Sequence, residues 1–402
     1  MVNNVRSVLV IVLLFLLAGV AFVAGYVAND YLEQRVGIAA AANERGEFST
    51  FWEAWSWVEK SYFGEVPPMK QVTYGAIRGA LGELGDPYTV FIEPTAREQE
   101  RESLRGNFGG IGAHISRNDA GEVILEPIPD NPAEDAGVRS GDMLLAVDGV
   151  PVDDSHSVEE IANRIRGEKG TTVVLTVIHP GDSTPVDIEV QRGDILIPSV
   201  SYEILSDYPT IGYLQLSRFS GESSAEVAGA LDSLRRSGAQ SLILDLRHNG
   251  GGLLDAAVDV ADHFLDGGLI MRQKSKGEGE RSYEANPGGL AVEMPLVVLI
   301  DGGTASSSEI LAGALQDHER AILIGSKTFG KGSVQLVYDL SDGSSVHITS
   351  SRWLTPDGHE IDQQGLQPDI SVEVSQEATD DGQDVTLDRA VEYLRNGIAD
   401  GQ

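Results

Sequence analysis

The segment PLVVLIDGGTASSSEILAGALQD, residues 295–317, joins an apolar strand to a helix through a glycine turn. The segment SLILDLRHNGGG, residues 241–252, repeats the order of strand and glycine loop, and the helical pattern LLDAAVDVADHFLD follows it. Repeated alternation of strands and helices predicts a largely parallel sheet that is covered by helices. We expect this α/β domain to extend over residues 198–374.

Three serines, Ser306, Ser307 and Ser308, lie where the helix of the first segment should begin. The free N–H groups and the positive dipole end of a helix can stabilise an oxyanion there. Serine is also common at helix starts simply because it caps them. A serine nucleophile needs a base, and the pattern by itself does not choose among the three serines.

The base could be a histidine or a neutral lysine. Histidines of this domain that could serve, none of them in a convincing base motif, are His263, His318, His347 and His359. Lys331 is the favoured lysine because Gly330 and Gly332 allow close packing around its stem, and burial lowers the pKa of a lysine. Its ordinary value of about 10.4 must fall by roughly 3 units for work near neutral pH. Lys327 has polar neighbours and should face solvent.

A nucleotide-binding loop is a third interpretation of this region. Residues 325–331, GSKTFGK, match the first seven positions of a P-loop. The eighth position should be Ser or Thr and is Gly332, and the VQLVYDL pattern after it predicts a strand where a P-loop opens a helix. The sequence therefore argues against nucleotide binding.

The composition limits the classes of function. A chain of 402 residues with 41% hydrophobic residues predicts two or three globular domains. Because the chain has no cysteine, a thiol nucleophile, disulfides and cysteine-ligated metals are excluded. A net charge of −33 argues against nucleic acid as a partner and is also typical of salt-adapted proteins.

Neither a metal nor another cofactor is predicted. The strongest metal candidate is an acidic helix face formed by Asp255, Asp259 and Asp262 beside His263. Such faces are common on exposed helices, and no HExxH motif accompanies this one.

Residues 8–28 carry no charge and could form a helix about 30 Å long, which spans a bilayer core. The hydrophobic region of a secretory signal is usually shorter, about 7–15 residues. Arg6 precedes the segment, while Asp30 and Glu33 follow it. This distribution places the N-terminus in the cytoplasm and the remainder outside.

We therefore expect an uncleaved transmembrane anchor at residues 1–28 and a polar stalk at residues 29–46. The alternative is a signal peptide cleaved after Ala21. Residues 47–105 should be helical, and the first helix carries an apolar face that we expect to be core: Phe51, Trp55, Val58 and Tyr62.

Residues 106–197 have short strand patterns, a glycine-rich loop and one amphipathic helix, SVEEIANRIRG. Successive N–H groups of glycine-rich loops can bind an anion, and an exposed strand edge can add a peptide strand. The segment resembles a PDZ domain of the bacterial type. The resemblance rests on Pro132-Ala133, on the Gly141-Asp142 turn and on a loop that, by resemblance, binds a peptide's terminal carboxylate: Phe108, Gly109, Gly110, Ile111 and Gly112.

A second resemblance covers the chain from about residue 48 to residue 371. Its motifs are LGDPYT at 84–89, DLRHNGGG at 245–252, TASSSE at 304–309, TFGKG at 328–332 and GLQPD at 365–369. They are similar to motifs of the carboxyl-terminal processing proteases, also called tail-specific proteases. The resemblance implies a serine-lysine endopeptidase, without a cofactor, on a core similar to the ClpP/crotonase fold.

The same resemblance implies roles for individual residues. The nucleophile of the family is the middle serine of an S-A-S-A-S-E pattern, which is Ser306 here. Lys331 is then the base and Gln335 orients it. The oxyanion hole would consist of the amide of Ser307 and an amide of the second glycine loop, from Gly251 or Gly252. Thr304 and Ser307 depart from the family pattern, but neither change removes a catalytic group.

The sequence thus predicts a single-pass membrane protein with an extracytoplasmic serine endopeptidase domain. Its partners would be protein substrates with a free, apolar C-terminus, and an oligomer is not excluded. Two alternatives stay open, a non-catalytic PDZ scaffold on the same fold and a serine-histidine hydrolase. Residues 375–402 are predicted to be an acidic linker and a C-terminal helix, LDRAVEYLR.

Overall fold

The computed structural model describes residues 48–118, 120–277, 279–373 and 383–400, with side chains of the last helix through residue 396. The predicted membrane anchor, the stalk and most of the acidic linker lie outside these ranges. Within them, no helix is both long and apolar enough to cross a bilayer. The chain divides into two units between Ala76 and Ile77.

The described part of the first unit contains helix α1, Phe48–Ser61, and the beginning of helix α2, Met69–Gly82. The prediction that the apolar face of α1 is core was wrong: no residue of α1 is buried, and Tyr62 just after it is 61% exposed. Phe51 and Trp55 are half-buried, and their rings stack at 6.5 Å. The described part of this unit has no sheet on which the aromatic face could pack.

The second unit begins with the remainder of α2, which is followed by strand β1, Val90–Ile92, and helix α3, Pro94–Arg105. A β-rich module follows. Its strands are β2, Asn107–Gly110; β3, Ala113–Arg117; β4, Val123–Pro127; β5, Asp142–Val147; β6, Val150–Pro151; β7, Thr172–Ile178; β8, Val186–Gln191; and β9, Gly193–Leu196. Its helices are α4, Pro132–Asp135, and α5, Val158–Ile165.

The main sheet of this module is antiparallel, in the order β3-β4-β5-β7-β8, with β6 on β5. Strands β2 and β9 form a separate pair. Helix α5 begins at a capping box, in which Ser157 and Glu160 bond each other's backbone N–H groups. Ile161 and Ile165 on its apolar face are buried against the sheet. The predicted strands and the amphipathic helix of this segment are thus confirmed.

The remaining strands are β10, Val200–Ile204; β11, Ile211–Leu216; β12, Ser241–Asp245; β13, Gly268–Ser275; β14, Gly279–Ala285; β15, Leu296–Ile300; β16, Ile322–Gly325; β17, Ser333–Asp339; β18, Ser345–Leu354; and β19, Ile370–Ser371. The helices are α6, Ser223–Arg236; α7, Leu254–Ala261; α8, Ser307–Asp317; and α9, Val385–Asp400.

Six of these strands form the predicted α/β sheet, in the order β10-β11-β12-β15-β16-β19. All neighbours are parallel except β10 and β11. Helices α6, α7 and α8 pack on one face of the sheet, and α9 packs on the other. The prediction of a largely parallel, helix-covered sheet is confirmed.

The sequence did not predict a second sheet, which is antiparallel and has the order β1-β18-β13-β14, with β17 also on β18. In it β1 pairs with the beginning of β18, residue 90 with residue 347. This pairing brings α3, which follows β1, to the loops at the carboxyl ends of the parallel strands.

Candidate active site and peptide-binding groove

The two glycine loops lie side by side because they leave neighbouring parallel strands. Asp245 at the end of β12 is opposite Leu299 near the end of β15. The amide of Ala305 donates to the carbonyl of Asn249 at 3.0 Å. A Cβ at Gly251 would lie 2.8 Å from Ser306 Cβ, so glycine is required for this close approach.

Ser306 precedes the first residue of α8 and has a strained backbone, with φ 56° and ψ −117°. A positive φ is uncommon for a residue other than glycine, and such strain costs about 1–3 kcal/mol. Strained residues often occur at functional sites. The conformation places Ser306 at the wall of a cavity of about 290 Å³.

The structure distinguishes the three serines that sequence reasoning left equivalent. Ser307 Oγ donates to the carbonyl of Gly252 at 3.1 Å. Ser308 is fully buried, and its Oγ donates to the carbonyl of Asn249 at 2.9 Å. The hydroxyl of Ser306 donates no hydrogen bond to any described residue. Its proton is therefore available to a base in the cavity.

Lys331 lines the same cavity. Its side chain is half-buried, and burial lowers the pKa of Lys331, while the carboxylate of Glu100 raises it in part. The amine lies 5.4 Å from the centre of the Tyr88 ring. Lys327, by contrast, is exposed as predicted.

A glycine beside Lys331 allows close backbone packing, as predicted. A Cβ at Gly332 would lie 2.4 Å from the backbone nitrogen of Asp362. The residues after it form β17, as expected, rather than the helix that a P-loop requires.

Glu309 joins the nucleophile turn to the lysine loop. The side chain is fully buried and accepts hydrogen bonds from the backbone N–H groups of Ser306, Gly330 and Lys331 at 2.8–2.9 Å. The Thr328 hydroxyl donates to it at 2.5 Å. One carboxylate thus fixes the backbone of the candidate nucleophile relative to that of the candidate base.

Gln335 also lines the cavity, but its amide donates to Ser333 Oγ at 3.0 Å. The β17–β18 register shifts between Val334 and Gln335. Among the described residues, no hydrogen bond joins the Lys331 amine to Ser306 or Gln335. The groups share a cavity without forming a hydrogen-bonded chain.

The candidate oxyanion donors can be told apart by their hydrogen bonds. The amide of Gly251 already donates to Asn249 Oδ1 at 2.9 Å. The amides of Gly252 and Ser307 donate to no described residue, and both residues line the cavity. These two N–H groups are available to an oxyanion.

Of the candidate histidines, His347 lines the cavity, and its Nε2 lies 3.3 Å from Glu100. The ring of His263 contacts the hydroxyl of Ser224 at 3.0 Å. His318 contacts the carbonyl of Leu269 at 2.7 Å, and the side chain of His359 is 69% exposed.

Part of the acidic face at α7 already makes contacts with other residues. Asp262 accepts hydrogen bonds from the backbone and side chain of Asn286. In the part of the chain that the structure describes, no three His, Asp or Glu side chains are grouped as metal ligands.

Sequence reasoning gave no role to two residues from distant segments: Glu100, which lines the cavity, and Tyr88, whose ring faces the Lys331 amine. Tyr88 lies in the LGDPYT motif, to which we had assigned no role. Nothing in the sequence pointed to Glu100, because the β1–β18 pairing brings its helix to the cavity. His347 was one of several candidate bases, and no pattern distinguished it from the others.

A second cavity, of about 380 Å³, lies between β3 and α5. Because β3 is paired only with β4, its other edge is free to take a peptide strand. The walls are largely apolar and include Ile115, Ile128, Val158, Ala162, Ile165 and Leu196.

The predicted carboxylate loop is at the end of this groove. Phe108, Gly109 and Gly110 belong to β2, and Gly109 accepts a hydrogen bond from the amide of Gly167 at 3.0 Å. Ile111 and Gly112 follow the strand, and their amides donate to no described residue. Two consecutive N–H groups are therefore available for an anion at the groove.

Comparisons with known proteins agree in naming one activity. The model of Peptidase family S41 matches residues 210–372, and that of the PDZ domain matches residues 123–178. A carboxyl-terminal-processing protease of Synechocystis sp. is 37% identical over 352 residues, which cover 86% of this chain and 82% of that protein. A carboxy-terminal-processing protease of Bartonella bacilliformis is 34% identical over 379 residues, covering 93% and 85%.

A solved structure of the photosystem II D1 C-terminal processing protease is 34% identical. The match has a TM-score of 0.45 and covers 80% of this chain and 86% of that chain.

Proposed function

The chain belongs to the carboxyl-terminal processing proteases of peptidase family S41 and is a serine-type peptidase, and we propose that it cleaves protein C-terminal tails through Ser306 and Lys331. The observation that carries the proposal is one cavity lined by both residues. The hydroxyls of Ser307 and Ser308 donate to backbone carbonyls, whereas that of Ser306 donates to no described residue. We also propose that the protease core is similar to the ClpP/crotonase fold.

The first step is attack on the scissile carbonyl. Neutral Lys331 accepts the hydroxyl proton of Ser306, and the alkoxide forms a bond to the carbonyl carbon. The amides of Ser307 and Gly252 stabilise the resulting oxyanion. The Lys331 ammonium then gives its proton to the leaving amine, the peptide C–N bond breaks, and an acyl-enzyme ester forms.

Water completes the reaction. Lys331, again neutral, takes a proton from the attacking water molecule, and the ester carbonyl passes through a second oxyanion. Ser306 leaves with a proton from the Lys331 ammonium, and a free carboxylic acid is released. The lowered pKa of Lys331 favours the neutral amine that both steps need. Gln335 would orient the lysine after its amide releases Ser333.

The groove of the PDZ domain would hold the substrate tail. A free terminal carboxylate would bind the amides of Ile111 and Gly112, and the backbone of the tail would pair with β3. The apolar walls favour apolar terminal residues.

We also propose that the enzyme is membrane-anchored and works outside the cytoplasm. The uncharged segment at residues 8–28, preceded by Arg6, supports this location. N-terminal sequencing of the mature protein tests it, since a start near Phe22 would contradict the anchor.

The dyad is tested with Ser306→Ala and Lys331→Ala on a tailed protein substrate. We expect each to lower kcat/KM by about 10³-fold or more, because each removes a group that forms bonds or moves protons. Lys327→Ala is the matched control, because it removes an exposed lysine four residues from Lys331. It should retain wild-type activity.

Undiminished cleavage by Lys331→Ala would overturn the assignment. Loss of activity in His347→Gln together with an active Lys331→Ala would favour the serine-histidine alternative. A fluorophosphonate probe that fails to label Ser306 in the folded protein would favour the non-catalytic scaffold.

A further inference from the structure

Helix α3 contributes Glu100 to the wall of the catalytic cavity, which Ser306 and Lys331 also line. The helix is held there by β1, which ends two residues before it and pairs with β18. A segment outside the two glycine loops thus places a carboxylate in the same cavity as the candidate base. The side chain of Glu100 is 34% exposed, so its charge is only partly screened by water.

Arg97 holds Glu100 in place through a hydrogen bond, and the ring of His347 lies beside it. Arg97 Nη1 donates to Glu100 Oε2 at 2.8 Å, and His347 Nε2 lies 3.3 Å from the same oxygen. Arg97 is itself buried and bonded to Asp339 at 3.0 Å. Burial alone would raise the pKa of Glu100, but His347 and Arg97 outweigh it and lower the pKa. Glu100 is therefore ionised at neutral pH.

We propose that Glu100 is a positioning residue that controls the protonation of Lys331 and thereby sets the lower pH limit of catalysis. The inference rests on the proposed role of Lys331 as the base. It concerns a residue that itself need not touch the substrate.

Opposing effects act on the protonation of the Lys331 amine. Burial lowers the pKa of Lys331, which favours the neutral amine, and the negative charge of Glu100 raises it by stabilising the ammonium. The Tyr88 ring also faces the amine and favours the ammonium. Glu309 bonds the backbone amide of Lys331 rather than its amine.

Removing the charge of Glu100 should therefore shift the balance toward neutral Lys331. In Glu100→Gln we expect the acid limb of the kcat/KM profile to move to lower pH. On that limb kcat/KM should rise about threefold, as expected for one nearby charge in a half-buried site, while the plateau at high pH is unchanged. Glu100→Asp keeps the charge and should keep the wild-type profile.

Glu98→Gln is the matched control, because it removes one charge from the same helix at an exposed position outside the catalytic cavity. Its profile should equal that of the wild type. An acid limb of Glu100→Gln that stays in place or moves to higher pH, with a folded protein by circular dichroism, would overturn the inference.

A second measurement does not depend on peptidase activity. In Ser306→Ala protein, fluorodinitrobenzene labels Lys331 only when its amine is neutral, and peptide mass spectrometry gives the rate at each pH. Adding Glu100→Gln should increase this rate about threefold on the acid limb. Unchanged labelling overturns the inference. If Glu100→Gln changes the labelling rate of Lys331 but Lys331→Ala leaves cleavage undiminished, the role of Glu100 is supported and the proposed function is contradicted.

Discussion

At the scale of single residues, Glu309 fixes the site through backbone contacts. Its carboxylate accepts four hydrogen bonds, from one hydroxyl and from three backbone N–H groups of the nucleophile turn and the lysine loop. A carboxylate has enough lone pairs for all four donors. The strained φ of Ser306 persists because its surroundings hold it.

Glu309→Gln tests this role. An amide has one oxygen instead of two, and its NH₂ group would face N–H donors, so buried donors lose their acceptor. We expect about 2–4 kcal/mol lower stability and a loss in kcat of about 10²-fold. Urea unfolding and single-substrate kinetics measure the two effects. Glu319→Gln, at an exposed position after the same helix, should change neither, and a fully active Glu309→Gln enzyme would contradict the role.

Residue types and spacing narrowed the base to Lys331 but left three serines as candidates. The resemblance selected Ser306, and the hydrogen bonds of Ser307 and Ser308 supply an independent reason. The choice depends on which carbonyl each hydroxyl meets across the two glycine loops. These contacts join residues that are 55 and 59 positions apart, and no sequence periodicity shows such pairs.

At the scale of elements, helix α9 is joined to the glycine loop by an ion pair. Arg247, next to the loop, contacts Asp245 at 2.6 Å and Asp384 at 2.7 Å. Asp384 also caps α9, since Oδ1 accepts the amide of Leu387 at 3.0 Å. Burial alone would raise the pKa of Asp384, but Arg247 and the helix N–H groups lower it overall.

A carboxylate whose pKa is lowered by folding stabilises the protein above its unfolded pKa, and this contribution is lost as pH falls. Asp384→Asn keeps the cap but removes the charge. We expect its melting temperature to be a few degrees lower than that of the wild type at pH 7, and we expect this difference to shrink as pH falls through the lowered pKa of Asp384. Calorimetry across this range checks it.

Asp388→Asn removes an exposed charge from the first turn of the same helix and serves as the control. A difference between Asp384→Asn and wild type that does not change with pH would show that the ion pair with Arg247 is not its cause.

Elements were predictable where each had its own pattern. The alternating strands and helices of the parallel sheet and the capped, amphipathic α5 could be read directly. The antiparallel sheet could not, since its pairs join β1 to β18 and β13 to β18 across long separations. The aromatic face of α1 has the period of a core helix, but periodicity does not tell whether a partner surface is present.

At the scale of the whole molecule, the PDZ domain is inserted between α3 and β10, within the protease unit. Its groove and the catalytic cavity are separate, with α3 leading from one to the other. We therefore expect tail recognition and bond cleavage to be separable by substitution.

Ala162→Trp should fill the groove and lower kcat/KM for a tailed substrate by about tenfold, the loss of roughly 1.4 kcal/mol of binding. Amidation of the tail should have a similar effect on the wild type and little further effect on the variant. Asn163→Trp adds the same bulk outside the groove and should act as wild type. Equal cleavage rates for free and amidated tails would contradict recognition of the C-terminus but not the proposed peptidase activity.

The bond between Thr349 N and Thr89 Oγ1 joins residues that are 260 positions apart. A ribosome completes Ser306 well before it reaches β18, and until then β1 and the helix that carries Glu100 have no partner strand to hold them at the cavity. The growing chain therefore contains its nucleophile before it has a catalytic cavity. If Ser306 is the nucleophile, as proposed, we expect proteolysis to begin only after the late strand β18 has paired with β1, so the order of synthesis would delay it.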